Sequence, residues 1–262
     1  MKDIVNDLIA EQAQTDLLVA DLTEDVWESP SANCEWTIKQ EMQHIAAFDY
    51  AAVRMLGGGF TDVTQVADAE FGHDAIYTPT AYAHLSGAET LAWWRAQRTR
   101  LDVAFLDSDP KARVPWAPGL PMSAKSLASA RLMELWAHSV DISDALGVEP
   151  VVKERITSVL FLSWQARPNA YRINGLEMPD TPLFLEVALP SGAIWAKGDP
   201  AAADVIRGSA KDWALVAVRR RNWMDTNLEV IGDEARRFAS IVQTFAGEAS
   251  PAPRTRAEKG ER

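Results

Sequence analysis

A chain of 262 residues is longer than a single hydrophobic core usually runs, so two domains are expected. Its 37 acidic against 26 basic residues leave a formal charge of −11, which argues against a nucleic-acid partner, since phosphate backbones are held by clustered Lys and Arg. There is no run of about 18 apolar residues to cross a membrane and no basic-then-apolar secretory pattern in MKDIVNDLIAEQAQ, and the lone cysteine, Cys34, excludes an internal disulfide framework; a cytoplasmic protein is expected.

The first 150 residues read as helices. DIVNDLIAEQAQTDLLVADL places Val5, Ile9, Ala13, Leu17 and Ala20 along one helical stripe. SPSAN is a loop, after which Thr37 and Gln40 have capping-box spacing and open a second helix that runs to about Leu56 and stops at Gly57-Gly58-Gly59. Ser86 and Glu89 repeat that spacing before TLAWWRAQRTRLDVAFL, a third long helix. DSDPKARVPWAPGLPMSA is read as a proline- and glycine-punctuated loop, in which Trp116 and Met122 are either a pocket wall or part of an ordinary connector. RLMELWAHSVDISDALG forms the fourth helix, ended by Gly147 with Pro150 beyond. Four long helices suggest a bundle over residues 1–150.

Beyond residue 150 the pattern becomes mixed. KERITSVLFLSWQARP reads as one more helix, and TPLFLEVALPSGAIWAKG as two strands about a turn at Pro190-Ser191-Gly192. ADVIRG and TNLEVIGD are short strand candidates, while AKDWALVAVRR and DEARRFASIVQTFAG are helical. Residues 151–247 therefore predict a small α/β domain, and the polar, proline-bearing 248–262 predicts a disordered tail. The ten tryptophans fit a large core better than a lined pocket.

Glu134 and His138 lie four residues apart, on one helix face, within an apolar helix. Polar groups on a buried face need partners, because each left unpaired costs roughly a few kcal/mol. His44 sits mid-helix among Met42, Ile45, Ala46 and Ala47. Two facing helices of a bundle could bring His44, Glu134 and His138 onto one metal ion, leaving a coordination position open; the competing reading is a hydrogen-bonded pair and a satisfied core histidine. Asp141 is either an acceptor orienting a ligand imidazole or a solvated helix charge. His73 and His84 lie in or near loops and read as ordinary histidines.

CEWTIKQEMQHIAAFD and RLMELWAHSVDISDALG together resemble the paired motifs of the DinB-like metal-binding superfamily, in particular the mycothiol-dependent maleylpyruvate isomerase branch and its uncharacterised actinobacterial relatives. The resemblance rests on Trp36-Thr37 before His44, and on Glu134, His138, Asp141 and Ala145-Leu146-Gly147. LPSGAIWAKGDPAA, VIRGSAKDWALVAVRRR and LEVIGD extend it almost to Gly247. It implies an α+β fold: a DinB-like four-helix bundle followed by a small α/β domain of sterol-carrier-like topology. It also implies that His44, Glu134 and His138 hold a divalent metal, most plausibly zinc, with water in the open position.

The chemistry implied is that of a low-molecular-weight thiol such as mycothiol, made nucleophilic as its thiolate, adding to an activated double bond of a small, carboxylated electrophile. Departure of the thiolate gives isomerisation; its retention gives transfer. An arginine from Arg219-Arg220-Arg221 would grip the carboxylate, Arg220 or Arg221 being the better candidates, against the plainer reading of a basic helix end paired with Asp225. Two departures, Glu35 and Ser139 where the family often has Gly, leave the ligands intact and bear on the pocket. Cys34 reads as a small packed residue rather than a catalytic thiol, since nothing beside it in sequence lowers its pKa. Two other functions compete: a non-catalytic metal- and ligand-binding or stress-associated DinB-like protein, and a non-haem iron enzyme built on the same two-His-one-Glu set.

Overall fold

The computed structural model describes residues 1–32, 36–71, 79–117 and 120–260. It divides into two compact units, Met1–Pro150 and Val151–Arg262.

In the first unit α1 (Lys2–Val19) leads through the short α2 (Glu24–Trp27) to α3 (Ile38–Leu56), α4 (Val63–Glu70), α5 (Gly87–Asp107) and, after a two-stranded ribbon, α6 (Ala124–Ala145). The four long helices pack as a closed ring: α1 against α6 and α5, and α3 against α5 and α6. Both capping boxes read from sequence are formed: Thr37 and Ser86 accept from the backbone N–H of Gln40 and Glu89, whose side chains return to the cap N–H groups. α6 begins at Ala124 behind an Ser123 cap, inside the segment expected to be loop. It ends at Gly147, which takes the left-handed φ of +67° that a residue with a Cβ adopts only at a cost.

The rest of that supposed loop is β1 (Arg113–Ala117) paired antiparallel with β2 (Leu120–Ser123), Val114 opposite Met122. Its prolines and glycine masked the strand pattern. Within the bundle Trp27, Trp94 and Trp136 are fully buried, as the core reading of the tryptophans anticipates. α1 is tied to α5 by the forked guanidinium of Arg95 on Asp16, at 2.9 and 2.6 Å.

The second unit opens with α7 (Thr157–Gln165) and α8 (Arg167–Ile173) where the sequence suggests one helix. A four-stranded sheet follows in the order β4-β3-β5-β6. β3 (Leu183–Ala188) and β4 (Ile194–Gly198) form the expected hairpin. β3 also runs parallel to β5 (Asp204–Ser209), which pairs antiparallel with β6 (Glu229–Ile231). The apolar run LFLEV belongs to an interior strand whose residues are mostly buried, whereas the edge strand β4 is largely exposed and carries Lys197. α9 (Ala210–Ala217) and α10 (Asp233–Ile241) supply Trp213 and Phe238, whose rings lie 5.5 Å apart in the core, and the Trp213 indole N–H donates to Ser163 at 2.8 Å.

Side chains of the second unit donate to backbone carbonyls of the polar C-terminal segment. Arg219 donates to the Ser250 carbonyl, Asn222 to that of Pro253 at 2.8 Å, and Gln243 to that of Glu248 at 3.0 Å, before the one-turn α11 (Arg256–Lys259). Composition shows that this tail lacks a core of its own; it does not show that three fixed side chains of the same unit take up its backbone carbonyls.

Candidate metal centre

The capping box at Thr37 fixes where α3 starts and therefore which residues face α6. Glu41, Ile45 and Asp49 are buried along that helix, and His44 lies among them. From α6 come Arg131, Glu134, His138 and Asp141. One ligand atom from each of His44, Glu134 and His138 lies within 4.8 Å of the others. Thus the two helices bring together the three residues singled out from sequence.

His138 organises the cluster. Its Nδ1 lies 2.5 Å from Glu41 Oε2, and the other oxygen of Glu41 accepts from the Ser31 hydroxyl at 2.5 Å. With Nδ1 engaged by a carboxylate, Nε2 is the ring atom that faces Glu134 Oε2, at 3.6 Å, and in the neutral imidazole with its proton on Nδ1 it is an electron-pair donor. The gap is long for a shared proton, but it is close to the roughly 3.4 Å that separates two N/O ligands of one tetrahedral ion with bonds of about 2.05 Å.

His44 adds a second sign of an intended guest. Its Nδ1 is buried and has no hydrogen-bond partner among the described residues, an arrangement that normally costs a few kcal/mol, roughly, unless an ion or water satisfies it. Burial, and then the nearby His138, pull the His44 pKa down to about 3, so its imidazole is neutral and able to ligate at any physiological pH. Burial would push the Glu134 carboxyl up; His138, Arg131 one turn earlier and His44 outweigh it and hold the pKa at about 2. Once an ion displaces any proton on His138 Nε2, the donor set would be two imidazole nitrogens and one carboxylate, which fits a divalent ion with an open position. Glu134 keeps 25% of its side chain exposed against 10% for His138, so the cluster meets solvent on the Glu134 side.

An aromatic layer backs the histidines. Trp36 lies nearly parallel to His138 (14°, centroids 6.2 Å apart) and 4.9 Å from His44; Phe48 lies 4.6 Å from His44 and 5.9 Å from Trp116. Trp116 is thus a buried part of this layer, while Met122 is half-buried on β2. Beneath it a buried ion pair joins the two ligand helices. Arg131 Nε and Nη2 reach Asp49 Oδ1 at 3.0 and 2.9 Å, and Nη2 also reaches the Ile45 carbonyl at 3.3 Å.

The remaining sequence candidates fall elsewhere. Asp141 is buried, but its carboxylate stands 3.9 Å from His138 Nδ1; the acceptor on that nitrogen is Glu41. Sequence reading missed Glu41, although its place three residues before His44 on the same helix was a usable signal. Ser139 donates to the Trp136 carbonyl at 2.7 Å. His84 is exposed on a turn, and His73, Cys34 and Glu35 lie outside the described residues.

Arg219, Arg220 and Arg221 lie in the second unit just after α9. Arg219 takes φ +63° and holds the carbonyls of Ser240 and Ser250, whereas Arg220 and Arg221 each place Nη1 on a neighbouring carbonyl, of Val218 and Arg220, at 2.8 Å.

Comparison with known proteins bears on this arrangement. The family described as the mycothiol maleylpyruvate isomerase N-terminal domain matches residues 8–143, which contain His44, Glu41, Glu134 and His138. The chain belongs to this family. Uncharacterized proteins from two strains of Mycobacterium tuberculosis are each 36% identical over 245 residues, covering 93% of this chain and 95% of theirs. Crystal structures of the mycothiol-dependent maleylpyruvate isomerase, and of a mutant of it with one histidine changed to alanine, share the fold. Their TM-scores are 0.59 and 0.60, at 16% identity, over 84% of this chain and 89% of theirs. The α+β architecture is therefore that of the family. Among the described residues no helix is long and apolar enough to cross a membrane.

Proposed function

We propose that this protein is a metal-dependent, thiol-using isomerase or transferase, in which His44, Glu134 and His138 hold a divalent ion, zinc. The observation that carries the reading is His138 Nε2 facing the Glu134 carboxylate at 3.6 Å, with His44 in the same cluster. Two neutral imidazoles and one carboxylate leave an ion of charge +2 with net positive charge and an open position. The ion supplies, when bound, the charge that favours the anionic form of a bound water or thiol. A mycothiol-like thiol supplies a nucleophile for reversible addition to an activated double bond, isomerisation if it leaves and transfer if it stays.

What the chain itself does follows from its residues. Glu134, held ionised at about 2, is a ligand rather than a general base. His44, neutral from about pH 3 upward, competes with no proton for the ion. Trp36, Phe48 and Trp116 keep water from the inner face of the histidines. The family points to a small, carboxylated electrophile as substrate. A contact of its carboxylate with Arg220 or Arg221 rests on sequence resemblance, and replacing either by Gln is expected to raise KM while leaving kcat nearly unchanged.

The test is turnover of maleylpyruvate and related cis-unsaturated carboxylates by zinc-loaded protein with mycothiol. Turnover that requires both zinc and the thiol, and that falls at least 100-fold in His44→Ala, Glu134→Ala and His138→Ala proteins of unchanged circular dichroism, supports the proposal (the factor is on the order of a lost metal ligand's effect). Undiminished turnover in those variants contradicts it. Tight ligand binding without chemistry selects the non-catalytic reading, and oxygen-dependent turnover with iron alone selects the non-haem one.

A further inference from the structure

Glu41 is a carboxylate with no exposed surface in the middle of a helical bundle. Placing an ionised group there is costly unless its oxygens are fully engaged. Both are: Oε1 accepts from Ser31 Oγ at 2.5 Å, and Oε2 lies 2.5 Å from His138 Nδ1. The second contact is shorter than an ordinary N–H···O bond, in the manner of a charge-assisted one.

The alternative acceptor, Asp141, is one turn further along the helix of His138 itself and stands 3.9 Å away, beyond hydrogen-bond range. An acceptor on the same helix moves with the imidazole, whereas Glu41 approaches from α3 and so fixes the ring relative to the helix that carries His44. A backbone bond reinforces this: the Ser31 N–H donates to the Trp36 carbonyl at 2.7 Å, tying the residue whose hydroxyl holds Glu41 to the residue whose indole stacks on the His138 ring.

We infer that Glu41, steadied by Ser31, is the positioning residue of the centre: it holds the proton of His138 on Nδ1 and so presents Nε2, at a fixed ring angle, to the space shared with Glu134 and His44. Carboxylate acceptors behind a ligand histidine raise its basicity and fix its tautomer. The inference rests on the metal-site reading above and adds to it a residue outside the ligand set.

Zinc alone is the probe. Its affinity for the full chain is measured by chelator competition in wild type, Glu41→Gln, Glu41→Ala and Ser31→Ala proteins. The imidazole N–H proton of His138 is followed by NMR in the zinc-loaded forms, identified by its absence from His138→Ala. Glu41→Ala is expected to weaken zinc binding about 10–100-fold and to abolish the far-downfield, slowly exchanging N–H signal. Glu41→Gln, which keeps the shape and one acceptor, should lose less affinity and keep the signal, moved upfield; it decides the matter if the alanine variant does not fold. A purely structural Glu41 would lower the unfolding midpoint and leave the zinc affinity of the folded protein unchanged. Affinity within twofold of wild type in both Glu41 variants overturns the positioning role while leaving the metal site intact. Wild-type protein that takes up no zinc overturns both.

Discussion

The ion pair between Asp49 and Arg131 joins the two helices that carry the metal ligands, and the two partners are 4% and 2% exposed. Arginine stays charged at any accessible pH, so Asp49→Ala would strand a buried guanidinium whose remaining partner among the contacts described is the Ile45 carbonyl at 3.3 Å. Breaking a buried pair from one side costs about 3–5 kcal/mol. With an m-value of about 2 kcal/mol/M in urea, that is a fall of roughly 2 M in the midpoint of the first unit's transition. Removing both charges has a different effect. Burial already pushes the Asp49 carboxyl above its ordinary range in spite of the two Arg131 contacts, a sign that the pair is expensive to bury. The double variant Asp49→Leu with Arg131→Met should therefore recover most of the loss, to within about 1 kcal/mol of wild type. Urea melts followed by tryptophan fluorescence on all four proteins of the cycle measure both numbers. A shift below about 0.5 M in Asp49→Ala, or a double variant no more stable than the single, would refute the reasoning.

Two further predictions concern the same bundle. Burial pushes the Asp102 carboxyl up to about 6 against an ordinary 3.8, with its Gln12 hydrogen bond opposing the shift and the nearby Asp49 adding to it. The folded chain then holds this proton more tightly than the unfolded one, so stability is greatest below about pH 4 and falls as pH rises toward 6. At 1.36 kcal/mol per pH unit this amounts to less than 3 kcal/mol, and about 1–2 after solvent screening. Asp102→Asn should remove that slope and be more stable than wild type at pH 7; an unchanged slope in melts from pH 4 to 7 contradicts this. Gly87 opens α5 directly against the buried Trp27, where an added Cβ would come within 2.2 Å of the ring. Gly87→Ala is expected to cost about 1–3 kcal/mol through displacement of that indole, and a melt unchanged from wild type would show that the ring shifts freely.

Much of the fold could be read in the sequence because its signals are local. Thr37 with Gln40, Ser86 with Glu89, and Gly147 each mark a helix end through bonds made within a few residues. The hairpin about Pro190-Ser191-Gly192 is local in the same way. The β1–β2 ribbon was hidden because Pro115 and Pro121 suppress a strand pattern in the sequence, although neither prevents pairing at the residues beside it. At the site, spacing within α6 exposed Glu134 and His138, the apolar mid-helix setting of His44 made it a candidate third ligand, and the family motif joined the three. The Glu41–His138 contact and the Asp49–Arg131 pair depend on which faces of α3 and α6 meet, across separations of 82 residues and more between the helices. No pattern within one helix carries that information. The sequence offered Asp141 as either an acceptor for a ligand imidazole or a solvated charge because it is near in the chain; Glu41, at 2.5 Å from His138 Nδ1, is the nearer carboxylate in space.

The central claim, that His44, Glu134 and His138 hold a divalent ion, is tested most directly by elemental analysis. Protein purified without added metal or chelator is to be compared with a folded His138→Ala variant. The account predicts near-stoichiometric zinc in the wild type and its loss in the variant. Wild-type protein that carries no metal and takes none up on reloading, or a variant that keeps it in full, would contradict the account.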